Sequence, residues 1–217
     1  MADWVTISSL ATAGGTLVLA AATFASVRSA NRAARTAERA LLVGMRPLLV
    51  PARSDDPMQK VLWGDDHWTK LTGAEPGVEV TDDVVYLALP LRNAGAGLAV
   101  LQGWFPQMTP RNLQTHPAPD DFRPQARDLY VSPSDVGFWQ GALRDRADAM
   151  FDALAGLINQ REMFAIDLLY SDHEGGQRTI SRFTVTPTGR KHRLDLLGRA
   201  PLEPRSRGPS LSENPGG

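Results

Sequence analysis

Residues 162–185 read EMFAIDLLYSDHEGGQRTISRFTV, and this stretch decides the fold. Phe164, Ile166, Leu168 and Tyr170 recur at every second position, the period that sends successive side chains of an extended chain to opposite faces. SDHEGGQ follows with aspartate and two glycines, residue types that accept the backbone of a tight reversal. Ile180, Phe183 and Val185 then resume the apolar pattern on the far side. Two such runs joined by such a turn predict an antiparallel β-hairpin.

Working outward, VVYLALPLRN (84–93) predicts a dense apolar strand, in which Pro90 points to a sheet edge or a bulge. NAGAG (93–97) reads as a turn whose Gly95 and Gly97 are free for positive φ. LAVLQGWF (98–105) reads as its partner strand, which makes a second hairpin. Shorter strands are expected at 47–52, 59–63, 77–81 and 128–131. In RDRADAMFDALAGLINQ (144–160), Met150, Leu154, Leu157 and Ile158 fall at helical spacing. The Pro- and Asp-rich residues 106–126 read as an exposed loop. The fold class is therefore mainly β: an antiparallel immunoglobulin-like β-sandwich over 47–198 with one helical insertion. Residues 199–217, rich in proline and serine, read as a disordered tail.

Residues 4–27, WVTISSLATAGGTLVLAAATFASV, carry no charged side chain. As a helix they would be about 36 Å long, enough for a hydrocarbon core of roughly 30 Å. Residues 1–27 are thus expected to form a transmembrane helix, and 28–46 a juxtamembrane amphipathic helix ending near Gly44, ahead of Pro47. Arg28, Arg32, Arg35 and Arg39, with Arg46, fall within an arc of about 60°, opposite Ala30, Ala33, Ala34, Ala37, Ala40 and Leu41. Those arginines are the expected contact with anionic lipid headgroups. The alanine side suits either a short coiled coil or packing on the chain's own domain. Small residues four apart in the span, such as Ser9 with Ala13 and Ala11 with Gly15, offer a homo-oligomer contact. Basic flanks stay inside, so the expected location is a single-pass plasma-membrane protein with its C-terminal domain in the cytoplasm. An exported protein with a cleaved leader is the competing reading. It expects basic charge before the apolar run, where Met1, Ala2 and Asp3 stand.

Chemistry is sparse. The absence of cysteine excludes thiol catalysis and Cys-ligated zinc, and no phosphate-binding glycine loop or GxSxG motif occurs. A net charge of −1, with no second basic patch interleaved with aromatics, argues against nucleic acid. His67, His116, His173 and His192 are scattered. WGDDHW (63–68) sets Asp65, Asp66 and His67 together, as a polar turn or as ligands of a divalent ion in a metal-dependent hydrolase. Asp172, His173 and Glu174 mark a hairpin tip; three adjacent residues of an extended chain point in alternating directions and seldom share one ion. Trp63, Trp68, Trp104, Trp139 and Tyr170 are either core or an exposed recognition surface. No catalytic residue, metal or cofactor is expected.

The order of parts is similar to that of uncharacterised single-pass membrane proteins of high-GC Gram-positive bacteria. The Arg/Ala helix RSANRAARTAERALL (28–42), LPLRNAGAGLAV (89–100) and YSDHEGGQRTISRF (170–183) carry the resemblance. It implies a short span, a basic helix and a β domain, and it assigns no site residues. The expected role is a non-enzymatic, membrane-anchored β-sandwich module that meets a protein partner at the inner membrane surface.

Overall fold

The structure is a computed structural model that describes residues 4–108, 117–176, 178–187 and 194–198. The tail at 199–217, together with His116 and His192, lies outside the described residues. The chain divides into two units, Met1–Gly44 and Met45–Gly217.

The first unit is one helix, α1 (Trp4–Gly44), unbroken between Val27 and Arg28. Thr23, Ser26 and Thr36 donate their hydroxyls to the carbonyls of Leu19, Ala22 and Arg32, one turn back, so these polar groups are satisfied within the helix. Its side chains are described from Gly14 onward, except those of Arg39, Leu42 and Val43. From there only about 21 Å of uncharged helix precedes Arg28. Among the described residues no helix is long and apolar enough to cross a membrane.

The second unit is mainly β, with antiparallel sheets. In chain order its described strands are β1 (Leu49–Pro51), β2 (Gln59–Leu62), β3 (Trp68–Leu71), β4 (Gly77–Val80), β5 (Val85–Asn93), β6 (Ala99–Gln107), β7 (Arg123–Val131), β8 (Val136–Leu143), β9 (Phe164–Ser171), β10 (Arg178–Pro187) and β11 (Leu194–Gly198). A helix, α2 (Ala149–Gln160), connects β8 to β9. In the first sheet β5 is central. β8 runs along one side of it, while β1 and β4 lie end to end along the other, at Leu91–Asn93 and Val85–Ala88. The second sheet has the order β11-β10-β9-β6-β7, and β2 pairs with β3 as a separate ribbon.

One apolar core takes side chains from both larger sheets. Val85, Leu87, Leu89 and Leu91 of β5 meet Phe164, Ile166, Leu168 and Tyr170 of β9, with Trp139, Phe183 and Val185. The opposite face of β5 is covered as well, because Tyr86 and Ala88 pack against Val61, Trp63 and Leu71 of the ribbon. Double burial is why VVYLALPL shows no alternation. Pro90 is accordingly neither at an edge nor in a bulge. The Pro90 carbonyl accepts from Ala52 N–H at 3.1 Å, so its nitrogen faces the same side, in the interval between β4 and β1 where no donor is needed.

The predicted hairpin at 162–185 is present, with Tyr170 opposite Thr179 and Phe183 opposite Ile166. The predicted hairpin at 84–105 is not. β5 and β6 belong to different sheets, and β6 pairs with β7 and β9. NAGAG is a crossover organised by Asn93, which is fully buried. Its Oδ1 accepts from Leu48 N–H (3.1 Å) and Gly95 N–H (3.0 Å). Its Nδ2 donates to the carbonyls of Gly97 (2.7 Å) and Val131 (3.0 Å). Gly95 and Gly97 are not at positive φ. They are glycines because a Cβ at either would collide with the carbonyls of Arg46 and Met45.

Further differences are local. α2 starts at Ala149 rather than 144, because Asp148 caps it by accepting from Met150 N–H at 2.9 Å. It buries Phe151 and Leu154, and Met150, Leu157 and Ile158 pack at the margin. Of the expected loop at 106–126, β6 takes the first two residues and β7 begins at Arg123, while 109–116 lie outside the described residues. β3, β8 and β11 are strands with no counterpart in the sequence reading. Along β6–β7 the register passes from Leu101↔Leu129 to Gly103↔Pro124, so residues 125–128 bow out of the ladder.

On the face of β9 away from the core, Asp167 and Arg182 sit directly opposite each other across the β9–β10 pair and are bonded twice, at 2.6 and 2.7 Å. Their side chains are 0% and 3% exposed. Asp167→Asn removes the carboxylate charge bonded twice to the buried guanidinium and is expected to cost about 3–5 kcal/mol in denaturant unfolding. Asn93→Ala orphans the polar groups of the crossover, at about 1–3 kcal/mol for each one left dry, and is expected to cost a similar amount. A surface control at Asp55 should leave the unfolding midpoint unchanged.

Candidate functional site

Of the expected lipid-contact residues, Arg28, Arg32 and Arg35 are exposed on α1. Arg39 is on the same helix, but its side chain lies outside those described. Arg46 does not extend the stripe. The helix ends at Gly44, and Arg46 belongs to the second unit, half-buried, with Nη2 donating to Thr179 Oγ1 at 3.2 Å.

The WGDDHW segment makes the β2–β3 turn, and Asp66 takes a left-handed conformation there, with φ 62°. Asp65 and His67 face the outer side of β5. Asp65 Oδ2 accepts from the Tyr86 hydroxyl at 2.7 Å and from Arg144 Nη2 at 2.8 Å. The Tyr86 hydrogen bond, reinforced by Arg144, holds the Asp65 carboxyl down at about 2 against the opposing effect of burial. Burial, then the Asp65 carboxylate, pushes the Tyr86 phenol up. The His67 ring stacks on Tyr86 at 3.9 Å, with its Nε2 3.1 Å from Glu79 Oε2. Trp63 meets Tyr86 edge-on at 5.2 Å and donates Nε1 to the Gly141 carbonyl at 3.3 Å.

This arrangement clamps a ribbon to a strand. A carboxylate held at about 2 is a weak base near neutrality, so Asp65 is poorly suited to proton abstraction. The cavity enclosed by Trp63, His67, Thr69, Glu79 and Tyr86 is about 40 Å³, room for a single water. Among the described residues no three of His, Cys, Asp or Glu are grouped so as to hold a metal ion. Asp172, His173 and Glu174 form a turn. Asp172 Oδ1 accepts from Gly176 N–H at 2.9 Å, and Gly175 has φ 72°.

A cleft of about 210 Å³ opens between β7 and β8, lined by Trp63, Trp104, Arg123, Gln125, Gln140 and Arg144. Both guanidiniums are engaged, Arg123 with Asp148 at 2.6 Å and Arg144 with Asp65. Trp63, Trp104, Trp139 and Tyr170 are buried, which settles them as core, whereas Trp68 is 50% exposed. The partners Tyr86, Glu79 and Arg144 escaped the sequence reading because they lie far along the chain from Asp65 and no local pattern links them.

No family model and no curated protein matches the chain. Among solved structures it is similar to a protein from Archaeoglobus fulgidus, with 12% identity, a TM-score of 0.24 and an alignment covering 70% of this chain and 98% of that one.

Because Asp65 is depressed below its usual carboxyl value of 3.8, its contribution to stability is present above that value and is lost as pH falls toward about 2. Urea melts of Asp65→Asn across this window should show a shallower acid decline than the parent. Parallel declines would overturn the clamp.

Proposed function

We propose that this chain is a non-enzymatic, single-pass membrane module. Residues 4–27 anchor it, Arg28, Arg32, Arg35 and Arg39 contact anionic headgroups, and an immunoglobulin-like β-sandwich faces the cytoplasm to meet a protein partner. The observation that carries the reading is the uncharged run at 4–27 followed at once by a one-sided arginine stripe within a single unbroken helix, Trp4–Gly44. The reading takes in residues 4–13, which lengthen the uncharged helix from about 21 Å to about 36 Å. Each arginine near an anionic surface adds about 1 kcal/mol. The retention of basic flanks inside the cell sets the orientation.

The sandwich assignment is supported by the strand order. β1-β5-β8 on one side and β7-β6-β9-β10 on the other is the order of two sheets joined by repeated crossings, with β9–β10 closing as a hairpin. Holding such a domain at a surface raises its effective concentration toward other membrane-bound proteins.

The full chain is expected to stay with the membrane fraction through alkaline carbonate and to leave it only in detergent. A C-terminal reporter should score as cytoplasmic. Release by carbonate alone would overturn the anchor, and protease access to the domain in intact cells would overturn the orientation. Replacing Arg28, Arg32 and Arg35 by glutamate should invert or scramble the topology while leaving membrane association intact.

A further inference from the structure

The outward face of the β2–β3 ribbon is left unused by the fold. Val61 and Leu71 point inward and are buried, while Lys60, Leu62, Trp68 and Lys70 point away and are exposed. The register sets Leu62 directly opposite Trp68, and Lys60 directly opposite Lys70. Two features of this face are costly in isolation. Trp68 and Leu62 remain 50% and 46% exposed side by side. The two lysines are like charges at directly opposed positions, an arrangement that destabilises a β pair. Among the described residues neither lysine pairs with a carboxylate. Instead both ammonium groups crowd one ring, with Lys60 Nζ 5.0 Å and Lys70 Nζ 5.9 Å from the centre of Trp68. Arg127 adds a third positive charge at the same edge, donating Nη1 to the Leu62 carbonyl at 3.2 Å.

We propose that this face docks on an anionic lipid surface, with Trp68 and Leu62 entering the headgroup boundary and Lys60, Lys70 and Arg127 binding lipid phosphates. Tryptophan settles at that boundary, and long basic side chains keep their charge in the headgroup layer while their stems cover apolar surface. A membrane relieves both costs at once. Its anionic phosphates neutralise the opposed lysines, and its acyl boundary covers the apolar pair. A single-stranded nucleic acid would use the Trp68 ring but leave Leu62, its directly opposed neighbour on this face, uncovered. The contact does not require the helical anchor, since every residue involved lies within the second unit.

Trp68 fluorescence of the full chain tests the contact. In a Trp4→Phe background the remaining tryptophans, Trp63, Trp104 and Trp139, are buried, at 4%, 4% and 0% exposure, so a contact quencher reports on Trp68. Vesicles of phosphatidylglycerol and phosphatidylcholine with brominated acyl chains should quench and blue-shift its emission, and brominated phosphatidylcholine alone should not. The effect should vanish in Trp68→Phe, and each of Lys60→Gln and Lys70→Gln should weaken it about fivefold. Equal quenching by the two vesicle types, or quenching that survives Trp68→Phe, overturns the proposal. Quenching by a single-stranded oligonucleotide but not by vesicles also overturns it, by assigning the face to nucleic acid. Carbonate extraction of the same chain reports separately on the anchor, so loss of the anchor and loss of the Trp68 contact are distinguishable.

Discussion

The buried side-chain amide of Asn93 holds the second unit in its arrangement of sheets. The strand β5 ends at that residue, and within five residues the chain must leave one sheet and start β6 in the other. Such a crossover exposes backbone donors and acceptors where water does not reach. One amide meets four of them: the N–H groups of Leu48 and Gly95 and the carbonyls of Gly97 and Val131. These groups come from the segment before β1, the crossover itself and the end of β7, so a single side chain ties together three pieces of the chain distant in sequence. Aspartate could accept the first two bonds but would set a carboxylate against two carbonyls. Leucine would satisfy none.

From that anchor the layers follow. With β5 committed to the first sheet, its odd-numbered side chains face β9 across the core and its even-numbered ones need a second cover. The β2–β3 ribbon supplies it, laying Val61 and Leu71 on Tyr86 and Ala88. The ribbon is short, and two strands of four residues hold their shape poorly alone. The Asp65–Tyr86 and Asp65–Arg144 bonds, the His67–Tyr86 stack and the Trp63–Gly141 bond attach both strands to β5 and β8. Polar contacts at one end thus stabilise apolar burial along the rest. They also leave the other face of the ribbon free to turn outward with its lysines and tryptophan.

What could be read from the residues, and what could not, divides along the same line. Phe164, Ile166, Leu168 and Tyr170 alternate because they face the main core while the opposite face of β9, also buried, interleaves Ala165, Asp167 and Ser171, and a tight turn joins β9 to its own partner; a local pattern reports a local pairing. LALPLRNAGAGLAV has the same outward look of strand, turn and strand, yet its two strands pair elsewhere. Gly95 and Gly97 mark a close approach to Arg46 and Met45 rather than a reversal. Neither the approach nor Asn93's distant partners are visible in a short window. VGFWQGAL (136–143) was opaque for another reason. Its glycines make room for neighbours, Gly137 beside Val131 and Gly141 beside Trp139, so they interrupt the apolar pattern that would have marked a strand. The clamp was half legible. WGDDHW read as a polar turn, but Tyr86 and Arg144 lie too far along the chain to be paired with Asp65 in advance.

The buried pair Asp167–Arg182 completes the logic that Asn93 begins. Hydrophobic strands specify burial better than they specify partners, and here the partner that local pattern favours for β5, the adjacent β6, is the wrong one. Selection among pairings therefore rests on groups that tolerate only one. A slip of a single residue in either β9 or β10 would rotate Asp167 or Arg182 into the core among Phe164, Ile166 and Phe183, separating two charges in an apolar medium. Misplacing the crossover would strand the Asn93 amide in the same way. The apolar residues supply the drive to collapse, and these few polar ones, each satisfied only in one register, decide which collapsed arrangement is stable.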